Sequence, residues 1–171
     1  MPSSNYPRLS WDRYGGGFGT LFMPYQIWTA EQMNTIGETP DDWDKHFKLM
    51  ADMDMSAYTG TRYHVIGNST TKFTGSFDGN GHKISNLTYS TSKAVECLGL
   101  FGRIENAVIK NLVLNDVSLA SGGGNVGGLV GWNDSGTLSV CSVTGSIRGT
   151  DHIGGLIGRN KGGSLTFCYT D

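Results

Sequence analysis

The sequence predicts an all-β fold: a single-stranded parallel β-helix (β-solenoid) of about four coils, each of about 27 residues, with a short N-terminal capping helix. Three observations carry that reading. The phrase "NVGGLVGWNDSGTLSVC" at 125–141 returns 27 residues later as "HIGGLIGRNKGGSLTFC" at 152–168. Glycine makes up 26 of 171 residues, roughly twice its usual share, while Pro numbers only four, so recurring tight corners fit better than a disordered linker. Apolar residues alternate in short runs (Leu112, Leu114; Cys141, Val143) that turn residues break every five to ten positions.

The repeat extends backwards in weaker copies. Gly99-Leu100-Phe101-Gly102 aligns with Gly128-Leu129-Val130-Gly131 and with Gly155-Leu156-Ile157-Gly158, at spacings of 29 and 27. "FTGSFDGNGHKISNL" supplies a partial fourth copy, matching Ile84-Ser85-Asn86-Leu87 to Ile109-Lys110-Asn111-Leu112. A unit of this length, with a Gly pair and many β-branched residues, is two or three short strands and their corners. One such coil cannot bury its inner face alone, so coils stack in parallel at about 4.8 Å and build columns of like residues. The predicted inward columns are Leu100/Leu129/Leu156, Ile84/Ile109/Leu138/Leu165, Leu87/Leu112/Cys141/Cys168 and Cys97/Val126/Ile153. The glycines are read as corner formers. In Ile-x-Asn-Leu both apolar residues point inward only if Asn86 and Asn111 take a left-handed corner, which Asn tolerates. Val140 and Phe167 fall in the same column and dislike that conformation, so the corner is expected to change shape there, or the register to be off by one.

Gly-Leu-Val-Gly and Gly-Leu-Ile-Gly at this period, after "GSFDGNGHKISNL", resemble the GLUG-motif repeats of bacterial surface and secreted proteins, which also occur in non-catalytic regions of immunoglobulin-A-cleaving metalloproteases. The resemblance covers Phe73 to Asp171 and extends more loosely to "PYQIWTAEQMNTIG" and "HFKLMADMDMSAYTG". It implies a β-helical cell-surface or extracellular module without an assigned reaction. The protease's metal-binding helix motif is absent from the chain, so the resemblance carries no peptidase activity over.

The N-terminal elements follow from local signals. One domain is expected, divided into a Gly-rich segment at 1–25, a capping helix with first strands at 26–72, and the solenoid repeats at 73–171. "TAEQMNTIGE" reads as a short helix, with Thr29 and Gln32 forming a capping box, Gly37 as the stop, and Met33, Ile36 and Ala30 on the buried face. Such a helix is expected to lid the first coil. "HFKLMADMDM" then alternates strictly and is read as the first strand of the stack. At the other end the chain stops at "LTFCYTD" in mid-coil, which leads to the expectation of an apolar, unpaired end covered by another subunit or by further coils.

Few residues have the pattern of a chemical site. Asp78-Gly79-Asn80-Gly81 begins like a calcium loop but continues with His82-Lys83-Ile84, and Asn80-Gly81 alone suits a tight turn, so Ca2+ at Asp78 and Asn80 is only a weak candidate. Asp52 and Asp54 stand two apart, as a solvated strand face or, alternatively, a carboxylate pair for acid–base work. The residues after each GLxG are Arg103, Trp132 and Arg159; in register the indole lies between two guanidinium groups, a cation–π ladder or a sugar platform. Cys97, Cys141 and Cys168 read as small core hydrophobes, with Cys141 and Cys168 one strand spacing apart and open to a disulfide. His46, His64, His82 and His152 lack metal-ligand spacing, and no P-loop or Gly-x-Ser-x-Gly occurs.

Thirteen Lys and Arg against 15 Asp and Glu, a net charge of −2 and no charge blocks argue against a nucleic-acid groove. No apolar run reaches bilayer-spanning length, so membrane insertion is not expected, and the first residues hold no apolar signal-peptide core. The expected function is therefore a non-catalytic structural or adhesive module of a cell-surface or extracellular protein, with no cofactor. Its expected partners are copies of itself or further coils end to end, with a glycan or a host or cell-surface protein as further candidates. The alternative is a polysaccharide-binding or polysaccharide-degrading β-helix.

Overall fold

The computed structural model describes residues 13–171 and forms a parallel β-solenoid of about four turns. The part of the 1–25 segment before Arg13 lies outside the described residues. Fifteen short strands are wound in sequence: β1 (Tyr25–Ile27), β2 (His46–Leu49), β3 (Met53–Asp54), β4 (Ser76–Asp78), β5 (Lys83–Ser85), β6 (Thr88–Ser90), β7 (Phe101–Glu105), β8 (Val108–Ala120), β9 (Gly124–Gly127), β10 (Val130–Asp134), β11 (Thr137–Arg148), β12 (Asp151–Gly154), β13 (Ile157–Lys161), β14 (Ser164–Thr166) and β15 (Tyr169–Thr170). Their pairings are parallel. The principal sheet runs β1-β2-β4-β8-β11-β14, a second runs β7-β10-β13, and a third joins β9 to β12.

Residues about one repeat apart touch their counterparts. The Leu129 amide donates to the Leu156 carbonyl at 3.0 Å, and Leu100, Leu129 and Leu156 are all buried in one column. Leu138 lies between Ile109 and Leu165, and Cys141 opposite Leu112. The earlier copies follow a different register from the expected one. Phe77, not Ile84, stands opposite Ile109, while Ile84 joins Met53 and Leu114 in a neighbouring column. Leu87 moves likewise, its carbonyl accepting from Ser118, near Val117 rather than Leu112. The cause is the Asp78–Lys83 corner, where four residues intervene; the matching pair Lys110–Val113 encloses two. Leu98, not Cys97, pairs with Val126.

Most of the stacked corners are built by side-chain-bearing residues. Asn106 and Ser135 (φ 51° and 60°) precede Gly162 (φ 72°) in one column, Asn125 and His152 (54° and 48°) share another, and Asn86 and Asp116 (59° and 55°) a third. Asn111, Val140 and Phe167 form a fourth at 53°, 54° and 53°. The expected change of corner shape at Val140 and Phe167 does not occur; stacking imposes the left-handed backbone on all three. The repeat's own glycines are not corner residues, since none of Gly99, Gly102, Gly128, Gly131, Gly155 and Gly158 has positive φ. They are needed for space. A Cβ on Gly131 would lie 2.6 Å from the carbonyl oxygens of both Asn125 and Gly102.

The first rung differs from expectation as well. It is β1, which pairs with β2, so "HFKLMADMDM" supplies the second rung in two pieces, β2 and β3. The helix α1 (Ala30–Glu38) is the crossover joining those two rungs, a short βαβ unit rather than a lid preceding the stack. Thr29 caps it, its hydroxyl accepting from the Gln32 amide at 3.2 Å while the Gln32 side chain accepts from the Trp28 amide at 2.8 Å. Met33 and Ile36 enter the core with Ala30 against it. Gly37 lies within the helix, and Thr39 ends it. Tyr14, Tyr25, Phe47, Phe73, Phe77 and Phe101 continue the core as a run of ring contacts at 4.7–6.5 Å.

Among the described residues, the last-rung strands β12, β13, β14 and β15 each pair on one side only. Leu165 is 44% exposed, whereas Ile109 and Leu138 in its column are fully buried. Ile153, Phe167 and Tyr169 are exposed beside it.

Candidate functional site

The outer face of the second sheet carries the best-developed side-chain constellation. Trp132 on β10 pairs in register with Arg103 on β7 and Arg159 on β13. The guanidinium carbons stand 3.9 Å and 4.5 Å from the ring centroid, so each face of the indole is taken by a cation. Arg103 also donates to Asp134 at 3.4 Å, and Lys161 stands 4.0 Å from the same carboxylate. The alternation Arg103, Trp132, Arg159 beside Asp134 and Lys161 locks three rungs in one register. A pyranose ring would stack on this indole only after one guanidinium had swung away.

One position further along each strand, Asn133 lies opposite Asn160, inside the turn. Asn133 is fully buried. Its Nδ2 donates to the Asn160 Oδ1 at 2.9 Å and to the Gly136 carbonyl at 3.2 Å, and its Oδ1 accepts from the Gly136 amide at 2.9 Å. Asn160 repeats the pattern by donating to the Gly163 carbonyl at 3.0 Å. This ladder satisfies backbone groups that the corner at Ser135 turns away from the sheet. The sequence displays it only as the Asn that follows the last two motifs, Ile104 holding that position after the first.

The Asp78–Asn80 corner is a tight turn. Asn80 and Gly81 both have positive φ (54° and 78°), and the His82 amide donates to the Gly79 carbonyl at 2.8 Å. Asp78 is already engaged: it accepts from the Asn80 amide at 2.8 Å and from Asn111 Nδ2 at 3.1 Å, with Lys110 Nζ at 3.5 Å. Partial burial pushes its carboxyl up, but Asn111, the Asn80 amide and Lys110 together hold it below the usual range. The Asn80 side-chain Nδ2 donates to the Leu49 carbonyl at 3.1 Å.

Asp52 and Asp54 each have partners of their own. Asp52 accepts from the Lys83 amide at 3.2 Å and faces His82 at 3.1 Å; Asp54 accepts from Asn86 Nδ2 at 3.0 Å and the Ser56 amide at 2.9 Å. The other histidines have partners too, His46 at Ser76 (2.6 Å), His64 at Glu38 (2.9 Å) and His152 at Asp151 (2.7 Å). Among the described residues no three His, Cys, Asp or Glu side chains converge as ligands. The three cysteines carry free thiols, and burial pushes Cys97 up to about 11 and Cys141 up to about 12.

One concavity has a wall that the sequence reading did not single out, facing a floor that includes Asp78. A cleft of about 450 Å³ separates the loop bearing Leu21, Phe22 and Met23 from Gln26, Lys48 and Asp78 on the principal sheet. Backbone bonds from Phe18 and Thr20 to the Met23 carbonyl hold the loop, which leaves Phe22 92% exposed. No periodicity marks this segment, so only its apolar composition (Phe18, Leu21, Phe22, Met23) hinted at it.

Fold and ladders together define a repeat protein of the parallel β-solenoid class. No family model matches the chain. It is 36% identical over 145 residues to halomucin of Haloquadratum walsbyi, covering 79% of this chain, and 32% identical over 136 residues to a protein of Evansella cellulosilytica provisionally named a Gly-rich membrane protein, covering 76%. The aligned regions span 2% and 15% of those relatives' lengths. Among solved structures, a chain from Bacteroides ovatus provisionally named an immunoglobulin A1 protease superposes with a TM-score of 0.48 at 17% identity, over 92% of this chain and 78% of that one.

Proposed function

We propose that the chain is a non-catalytic structural or adhesive β-solenoid module of a cell-surface or extracellular protein, of the GLUG-repeat kind, whose last rung is covered by another copy or continued by further coils. The observation that carries this reading is the apolar edge at β14, where the column of Ile109 and Leu138 ends in a Leu165 with almost half its surface open. Parallel strands with one free edge and an apolar inner row accept a further rung, whether from another copy or from another solenoid segment. The side-chain ladders support the same reading, because Arg103, Trp132 and Arg159 on the outer face and Asn133 and Asn160 inside the turn are spent on holding rungs together. The alignments to halomucin and to the Gly-rich membrane protein support a surface setting.

Sedimentation velocity over a range of concentrations tests the association. Covering by another copy predicts reversible self-association that Leu165→Lys abolishes while leaving the circular dichroism unchanged; a monomer at every concentration rules that occupant out. A glycan-binding role is the second reading, favoured by the apolar cleft beside Phe22 with its polar floor of Gln26, Lys48 and Asp78. Glycan-array binding lost in Phe22→Ala but kept in Trp132→Ala would assign it to the cleft; loss only in Trp132→Ala would assign it to the arginine sandwich.

A further inference from the structure

We propose that Cys141 and Cys168 form a redox-sensitive pair, whose oxidation to a disulfide staples the last rung to the one before it. The register places them face to face. Ser139 pairs with Thr166 before the corner and Ser142 with Tyr169 after it, so Val140-Cys141 and Phe167-Cys168 lie opposite one another. The corners have the same backbone, φ 54° at Val140 and 53° at Phe167, so the chain leaves both in one direction. The thiols are also oriented alike: Cys141 Sγ donates to the Ser139 carbonyl at 3.3 Å, and Cys168 Sγ to the Thr166 carbonyl at 3.5 Å. Opposed residues on neighbouring parallel strands stand about 4.8 Å apart, inside the Cα window of about 4.4–6.8 Å that a disulfide spans.

The two thiols differ in access, which gives the reaction an order. Cys168 is half-buried on the open rung, whereas Cys141 is buried beneath it. A small external disulfide such as oxidised glutathione meets Cys168 first. The Cys168 thiolate attacks one glutathione sulfur, forming a mixed disulfide and releasing one glutathione thiolate. The Cys141 thiolate then attacks the Cys168 sulfur and releases the second. Each released thiolate takes up the proton its cysteine has lost. Two protein thiols become one disulfide, and one small disulfide becomes two thiols. Burial of Cys141 disfavours its thiolate, and the opposed Cys168 offsets this by making the second attack intramolecular. The link falls on the rung whose inner row is otherwise held from one side only, and it joins residues 27 apart.

The intact chain is incubated with oxidised glutathione, alkylated in denaturant and analysed by mass spectrometry, with hydrogen exchange followed in parallel. The expected product has lost two hydrogens, keeps one alkylatable thiol of the three, and yields a peptide joining Cys141 to Cys168. Amide exchange over 164–170 slows relative to the reduced chain, Cys168→Ser shows neither effect, and Cys97→Ser shows both. A mixed disulfide that persists on Cys168, three alkylatable thiols, or slowing that survives in Cys168→Ser overturns the proposal. None of these readouts measures association or glycan binding, so failure here is distinct from failure of the surface-module reading.

Discussion

Val140 occupies, one rung later, the corner position of Asn111, with a left-handed backbone of φ 54° against 53°. Asparagine tolerates that region and a β-branched residue does not, so the neighbouring rungs hold Val140 in a conformation it would not choose.

Replacing Val140 by Asn should therefore stabilise the solenoid by about 1 kcal/mol, because the side chain is half exposed and gives up little packing. Urea unfolding of the two proteins measures the difference. Val140→Ala, which retains a Cβ at positive φ, should recover only part of it.

Gly131→Ala should cost about 3 kcal/mol. Its methyl group would meet the Asn125 and Gly102 carbonyl oxygens at 2.6 Å, and both belong to backbone that cannot turn aside. Gly81→Ala tests a different constraint: no atom crowds its Cβ, and only the positive φ of 78° opposes the change. Thermal unfolding should rank Gly131→Ala as the more damaging of the two.

Asn133→Ala removes a fully buried side chain that partners the Gly136 amide and carbonyl and the exposed Asn160 side chain. A loss of about 2–3 kcal/mol is expected from stranding those groups. Hydrogen exchange should show it first at Gly136, since the ladder acts through that turn.

The acid limb of stability should contain a contribution from Asp52 and Asp54. The Lys83 amide and then His82 hold the Asp52 carboxyl below its usual range, as the Asn86 side chain and the Ser56 amide do for Asp54. Folded-state values below the unfolded ones mean that this stabilisation is complete above about pH 4 and is lost as pH falls through the folded values. Asp52→Asn should flatten the fall in melting temperature below pH 4 and leave the curve at pH 7 nearly parallel to the parent's.

The legible part of the fold was whatever repeats at constant length. Leu100, Leu129 and Leu156 share a column, and Arg103, Trp132 and Arg159 stack, because their spacings of 29 and 27 residues match one full coil. The match of Ile84-Ser85-Asn86-Leu87 to Ile109-Lys110-Asn111-Leu112 failed despite its likeness in letters. Two extra residues in the corner after Asp78 displaced everything downstream, and a corner's length leaves no trace in the apolar pattern it interrupts. Strand β1, with three residues, was too short to display any period.

By itself, the order of residues determined that this chain winds into a parallel β-solenoid, since apolar side chains recurring once per coil have no other way to bury one another. Only the stacked structure decided what individual residues do within it. Glycines that sequence alone assigned to corners clear space for a neighbouring backbone, Val140 and Phe167 take corners meant for asparagine, and an Asn ladder carries the turns. Each of those roles depends on atoms one rung away, and contact between rungs exists only once the coils have closed.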